Sequence, residues 1–266
     1  MTGTTALSDP PQLPDLSGRR VLVPGGTGGV GEGVVRRYLS AGADVVVPTR
    51  TEARSQEFRR VLGAAATDHL HLVVHDYTTF AGADDLAAQM ERNLGGIDDV
   101  VAPIGGWWAG KRLWEIDETD WQSAFVGLAT THMAVLRACL PRMASQGAYT
   151  VVTGDSAAVP VPGSGLVSME QAALLMMQRV VAAELDGRQR AFVLVLGPVD
   201  TRLVHSGDPD ALTADQVGAV AVAASTAGTT AGREIQVHDR AEVEAALALL
   251  GSQQPAVLST IPAAAR

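Results

Sequence analysis

The chain has 266 residues, 47% of them hydrophobic and only 4% aromatic, with a formal net charge of −9. That length suits one large domain with an aliphatic core, and the acidic balance argues against nucleic acid or an anionic membrane as a partner. The single Cys139 excludes an internal disulfide and suits a reducing cytoplasm.

No apolar run reaches the ~18 residues that span a bilayer. Residues 1–15 lack periodicity and read as a loose tail, with 16–266 forming one domain. The first strand, 20–23, leads into five glycines, Gly25, Gly26, Gly28, Gly29 and Gly31. Glycine is needed where φ is positive or a ligand approaches the backbone. A helix opening at this turn aims free N–H groups and its dipole at the same spot, which suits a pyrophosphate. Gly26, Gly28 and Gly31 fit the dinucleotide spacing G-x-G-x-x-G, with Thr27 and Val30 completing the turn. The next strand is 43–47, followed by Thr49, Arg50 and Thr51, the last placed to cap a helix from Glu52. Strands are expected at 69–74, 98–102, 149–153, 191–196 and 234–237. Helices are expected near 84–93, 120–144, 165–185, 213–224 and 241–250. This alternation predicts an α/β fold, a doubly wound parallel sheet in three layers, with ligands at the carboxyl ends of the strands.

Arg50, 19 residues after Gly31, stands where an acidic residue would bind the ribose of NAD. Arginine there favours the 2′-phosphate, so NADP(H) is expected over NAD(H). Thr49 would add a hydroxyl, and Asp76 could accept from an adenine amino group or simply cap a turn. His69, His71 and His75 are too spread along one strand to share a metal, and no metal site is expected.

Together these segments resemble the short-chain dehydrogenase/reductase superfamily. Pro24-Gly-Gly-Thr-Gly-Gly-Val-Gly31 resembles its T-G-x-x-x-G-x-G, with Pro24 in the Thr place. Val47-Pro-Thr-Arg50 resembles the strand end of NADP-preferring members, and His75-Asp-Tyr-Thr78, with Asp76 and Tyr77, the adenine-binding stretch. Leu136-Arg-Ala-Cys-Leu-Pro-Arg-Met143 resembles the end of its fifth long helix. Leu196-Gly-Pro-Val-Asp-Thr201 resembles P-G-x-V-x-T, in which Pro198, Val199 and Thr201 would grip the nicotinamide. The resemblance implies an oligomer, a homodimer or homotetramer through the two long helices.

The departures concern the chemistry. The family's Asn-Asn-Ala-Gly is here Ala102-Pro-Ile-Gly105, keeping only Gly105. Counting back from Pro141, its catalytic Asn falls on Leu128. Its Tyr-x-x-x-Lys falls on Val167 and Gln171, and its Ser on Ser156, assuming a short deletion. Carbonyl reduction needs a positioned proton source, which Leu128 and Val167 cannot be, though Gln171 could still bind a ribose. Substitute acids to consider are Asp155, Ser156 and His132, the last also readable as a core or interface histidine. Glu170 is expected to face solvent or a neighbouring subunit. Trp107, Trp108 and Trp114 could line an apolar pocket over the nicotinamide, with Leu128 and Val167. Three readings follow: a non-catalytic NADP(H)-binding sensor or partner subunit, an oxidoreductase acting on an iminium or activated alkene, and a non-redox lyase, cyclase or isomerase.

Overall fold

The computed structural model describes residues 13–185, 189–228 and 233–251. Most of the expected tail, residues 1–12, lies outside them. Among the described residues, seven parallel strands form one sheet in the order β3-β2-β1-β4-β5-β6-β9. They are β1 (Arg20–Leu22), β2 (Asp44–Thr49), β3 (Leu70–Val74), β4 (Asp99–Ala102), β5 (Ala148–Gly154), β6 (Arg190–Leu196) and β9 (Arg233–Val237). The sheet is covered on both faces, as the near-continuous apolar strands require. One face carries α1 (Gly29–Ser40), α2 (Glu52–Leu62), α7 (Ala214–Thr226) and α8 (Glu242–Gly251). The other carries α3 (Phe80–Leu94), α5 (Gly127–Cys139) and α6 (Gly165–Glu184). The strand order reverses at β1 and β4, so the cleft opens at the carboxyl ends of those two strands.

Each expected strand and helix is present, with ends shifted by a few residues. Thr51 caps α2 as expected, its hydroxyl accepting from Arg54 N–H at 3.2 Å. The expected helix 120–144 is more broken than its pattern implies. It begins as α4 (Glu118–Trp121), passes through a π turn at Gln122–Val126, continues as α5 and ends in a 3₁₀ turn at Leu140–Arg142. The helical stretch Glu118–Arg142 is long and apolar enough to cross a membrane by composition, yet α5 packs on α3 and α6. A two-stranded ribbon, β7 (Val199–Asp200) with β8 (Leu212–Thr213), is too short to have been read from the sequence. The closest helix packing is α1 on α7. A Cβ on Gly33 would overlap Ala214 and one on Gly218 would overlap Gly33, so the two backbones meet with no side chain between them.

Candidate cofactor cleft and its floor

The turn from β1 into α1 is built around Gly25. Its φ is +86°, and a Cβ there would stand 2.5 Å from Pro103 O in the loop after β4. Gly28 N–H closes the turn on Gly25 O at 2.9 Å, and α1 starts at Gly29 from an extended Gly28. A Cβ on Gly31 would collide with Gly25 O, so this glycine lets the helix lean onto the turn. The first N–H groups of a helix have no acceptor within it. Together these features form a backbone cradle that fits an anion. Glu32 in the first helical turn does not oppose it. Its carboxylate is held by Arg36 at 2.9 Å and Arg202 at 3.0 Å. Arg202 thereby ties the loop after β7 to α1, and Thr201 lies so near Gly29 that a Cβ there would stand 2.6 Å from its hydroxyl. A cleft of about 410 Å³ runs beside this first turn, lined by Gly29, Glu32, Arg36, Thr201, Arg202 and His205. Thr201 Oγ1 accepts from Leu203 and Val204 N–H, which shapes the loop. Val199 pairs with Leu212 in the ribbon, and Pro198 O accepts from Leu212 N–H.

At the other end of the cradle, Arg50 is exposed, and its charge acts on both Asp76 and Tyr77. Asp76 accepts from the Thr78 hydroxyl at 2.6 Å and from Thr78 N–H, contacts that hold its carboxyl below the usual range. Burial raises the Tyr77 phenol, and the nearby Gly25 N–H and Arg50 charge oppose that rise. Thr49 departs from expectation. Its side chain is buried and bonded to Ser55 Oγ at 2.6 Å, so its hydroxyl braces α2 and is not offered to a ligand. The three histidines of β3 and its end go to two carboxylates, His69 and His71 to Asp44 and His75 to Asp85.

Beyond Gly105, which stands in open space, lies the reaction end. Val167 is buried in the first turns of α6. One turn on, Gln171 Oε1 accepts from Gly154 N–H at 3.2 Å and from the Ser156 hydroxyl. Two converging donors fix that atom as the amide oxygen. The amide N–H groups have no protein acceptor among the described residues. Ser156 is buried and Asp155 half-buried in a 3₁₀ turn after β5. The tyrosines and the lysine lie elsewhere. Tyr38 and Tyr149 are fully buried, in α1 and β5, and Tyr77 is at the adenosine end. Lys111, the one lysine in the sequence, is bound to Asp117 and Asp120.

Leu128 is half-buried just after the π turn, a distortion often found at functional sites. Trp107 and Trp114 are mostly exposed, and Arg112 stacks 5.5 Å over the Trp114 ring. Trp108 is half-buried. The apolar cleft in this region, about 520 Å³, is lined by Leu113, Ile116, Trp121, Leu166 and Met169. Trp121, stacked on Phe125 at 4.5 Å, supplies this cleft with an aromatic wall that no motif in the sequence marks.

The largest correction is beneath the site. Glu170 does not face solvent or a subunit interface. It is buried with 3% exposure, and its Oε1 lies 3.9 Å from Nε2 of the fully buried His132. Burial pushes the Glu170 carboxyl up to about 7 and the His132 imidazole down to about 4. His132 Nε2 lies 3.0 Å from Ile104 O, which can only accept. His132 is thus a core histidine of the cleft floor.

Comparison with known proteins agrees with this architecture. The family described as Enoyl-(Acyl carrier protein) reductase matches residues 25–253. The chain belongs to the short-chain dehydrogenase/reductase superfamily. A hydroxysteroid 11-beta-dehydrogenase 1-like protein of Xenopus tropicalis is 27% identical over 229 residues, covering 84% of this chain and 79% of the relative. A short-chain dehydrogenase from Burkholderia cenocepacia, solved with NADP, superposes with a TM-score of 0.72 at 20% identity. That match covers 83% of this chain and 97% of the other. A blue fluorescent protein from a metagenomic library, solved with NADPH, gives 0.71 at 22% identity, covering 84% and 98%.

Proposed function

We propose that this member of the superfamily binds NADP(H) in the glycine cradle without reducing ketones, and serves as a cofactor-responsive sensor or partner subunit. Arg50 at the lip supports the 2′-phosphate, and the two structural neighbours named above were solved with NADP and NADPH. The observation that carries the non-catalytic reading is Gln171. A neutral amide, tied to Ser156 and Gly154, stands one helical turn from a buried valine. Bound NADPH would supply a hydride, but an alkoxide formed nearby would meet no phenol or ammonium to protonate or stabilise it. Gln171 still has N–H groups to offer a ribose. Exposed Met133 on α5 and Met169, Met176 and Val180 on α6 support a homodimer or homotetramer through these helices.

Calorimetry with NADPH and NADH, run beside NADPH oxidation over a panel of ketones, tests this. Binding without oxidation is expected, and a combined Leu128→Asn, Val167→Tyr, Gln171→Lys variant should gain turnover. Clear ketone turnover by the unmodified protein would refute the reading. A second reading, hydride transfer to an activated alkene, is favoured by the matching family's description. Oxidation of NADPH by enoyl thioesters alone would select it.

A further inference from the structure

Two buried titratable groups take no part in holding a dinucleotide, and both leave polar atoms unpartnered. Because Ile104 O only accepts, the His132 proton sits on Nε2, leaving Nδ1 as a bare lone pair with no partner among the described residues. Glu170 Oε1 is likewise buried without a hydrogen bond among the described residues. Unsatisfied buried polar atoms of this kind cost stability and call for an explanation. Ile104 supplies one. Its Cα is 3.2 Å from where a Cβ of Gly25 would stand, and its neighbour Pro103 presents its carbonyl to the same glycine. A continuous line of contacts therefore runs from α6 through α5 to the loop after β4, and from there to the turn that cradles phosphate.

We infer that Glu170 and His132 form a proton-linked brace that sets how firmly the loop after β4 supports the phosphate-binding turn, so that NADP(H) affinity depends on the charge of this pair. The inference rests on the reading that NADP(H) binds at that turn. With a neutral Glu170 the His132 N–H is free to hold Ile104, and the structure shows that hydrogen bond. An ionised Glu170 competes for the same N–H and slackens the loop. Burial is the one influence resolved on Glu170. The charged groups on neighbouring elements are engaged elsewhere, Arg137 with Asp84, Arg179 with Glu234, and Arg190 with main-chain carbonyls. Asp120 is bound to Lys111, and Asp155 and Glu118 make no hydrogen bond to Glu170 Oε1.

The experiment is NADPH affinity, read by tryptophan fluorescence and calorimetry, from about pH 5.5 to about pH 8.5, for the unmodified protein and Glu170→Gln. The ratio of the two cancels contributions from exposed histidines and from the 2′-phosphate. It should be near unity in acid and grow to about tenfold weaker binding by the unmodified protein in base. Infrared spectra of the cofactor-free protein should show a protonated-carboxyl band that disappears as pH rises and is absent from Glu170→Gln. Where that variant fails to fold, neutral Glu170→Met serves in its place. Parallel affinity profiles would overturn the brace alone. No NADPH binding at any pH would overturn the cofactor reading and the brace with it.

Discussion

The two ends of the sheet use charge in opposite ways. At the amino ends of β1, β4 and β6, the charged groups are held by carboxylates or carbonyls, though Arg190 Nε has no partner among the described residues. Arg19 makes two bonds of 2.7 Å to Asp99, which also accepts from Ala148 N–H. Arg20 grips Asp98 through its side chain and main chain. Arg190 donates to carbonyls at the end of α7. At the carboxyl ends, by contrast, the backbone is bare at a run of glycines, the Gln171 N–H groups are uncommitted, and His132 and Glu170 keep unpaired atoms. Polar groups already satisfied hold strands in register. Polar groups left over are what a ligand or a proton can use.

The largest test breaks the satisfied end. Asp99→Ala leaves Arg19 without its carboxylate and Ala148 N–H without an acceptor, in a fully buried place. Removing one partner of a buried pair costs about 3–5 kcal/mol, so urea unfolding should show a loss of that size. NADPH affinity of the molecules still folded should be unchanged. A large affinity loss with intact stability would mean that the two ends are not separate.

The second test uses the opposed slopes of the buried pair. Glu170, raised in the fold to about 7 from 4.5, keeps a proton that the unfolded chain has released. Its contribution to stability therefore falls as pH rises through that window and is fully lost above it. His132, lowered to about 4 from 6.5, stays neutral where the unfolded chain is charged. Its contribution falls as pH drops from 6.5 to 4. The two windows overlap, so the slopes oppose each other and stability should vary little between them. Glu170→Gln removes one side. The variant should gain on the order of 3 kcal/mol above neutral pH and show a steep acid loss owed to His132. Thermal unfolding across pH reads both, and superimposable curves for the two proteins would dispose of the pairing.

The third test is at the cradle. A methyl group on Gly31 would overlap Gly25 O. Gly31→Ala should cost about a hundredfold in NADPH affinity, roughly 2.7 kcal/mol, with a smaller change in unfolding.

These ends were not equally legible in the amino-acid order. The cradle was, because a glycine needed for positive φ or close approach announces itself locally. A parallel sheet with its cleft at the carboxyl ends followed from the alternation of apolar strands and helices, while the strand order did not. The burial of Glu170 did not. Helix α6 carries Leu166, Val167, Met169, Leu174, Leu175 and Met176 around most of its circumference, so its periodicity does not tell the inward face from the outward one. The meeting of Gly33 with Gly218 is a long-range fit that no local pattern encodes. Thr49 read as a ligand hydroxyl because Ser55, its partner, becomes a neighbour only once α2 folds back. Leu128, Val167 and Gln171 could be set against the family pattern from the sequence, but the bond between the Gln171 amide and Ser156 needed coordinates.

The smallest expected effect concerns which dinucleotide the open end prefers. Asp76 is held ionised by Thr78 and stands near Arg50, so the lip carries one charge of each sign. A 2′-phosphate there would be attracted by Arg50 and repelled by Asp76, whereas a free ribose hydroxyl could be accepted by that carboxylate. Since Thr49 is turned inward, Arg50 alone at the end of β2 tips the balance toward phosphate. Arg50→Ala should therefore weaken NADPH by about tenfold, the scale of an exposed charge-assisted contact, and leave NADH within about twofold. The gap should narrow as salt screens the arginine. Equal losses for both dinucleotides would mean that Arg50 supports the shape of the lip and not the phosphate. Asp76→Asn then separates these cases, because it should strengthen NADPH only if the charge balance is what the site reads.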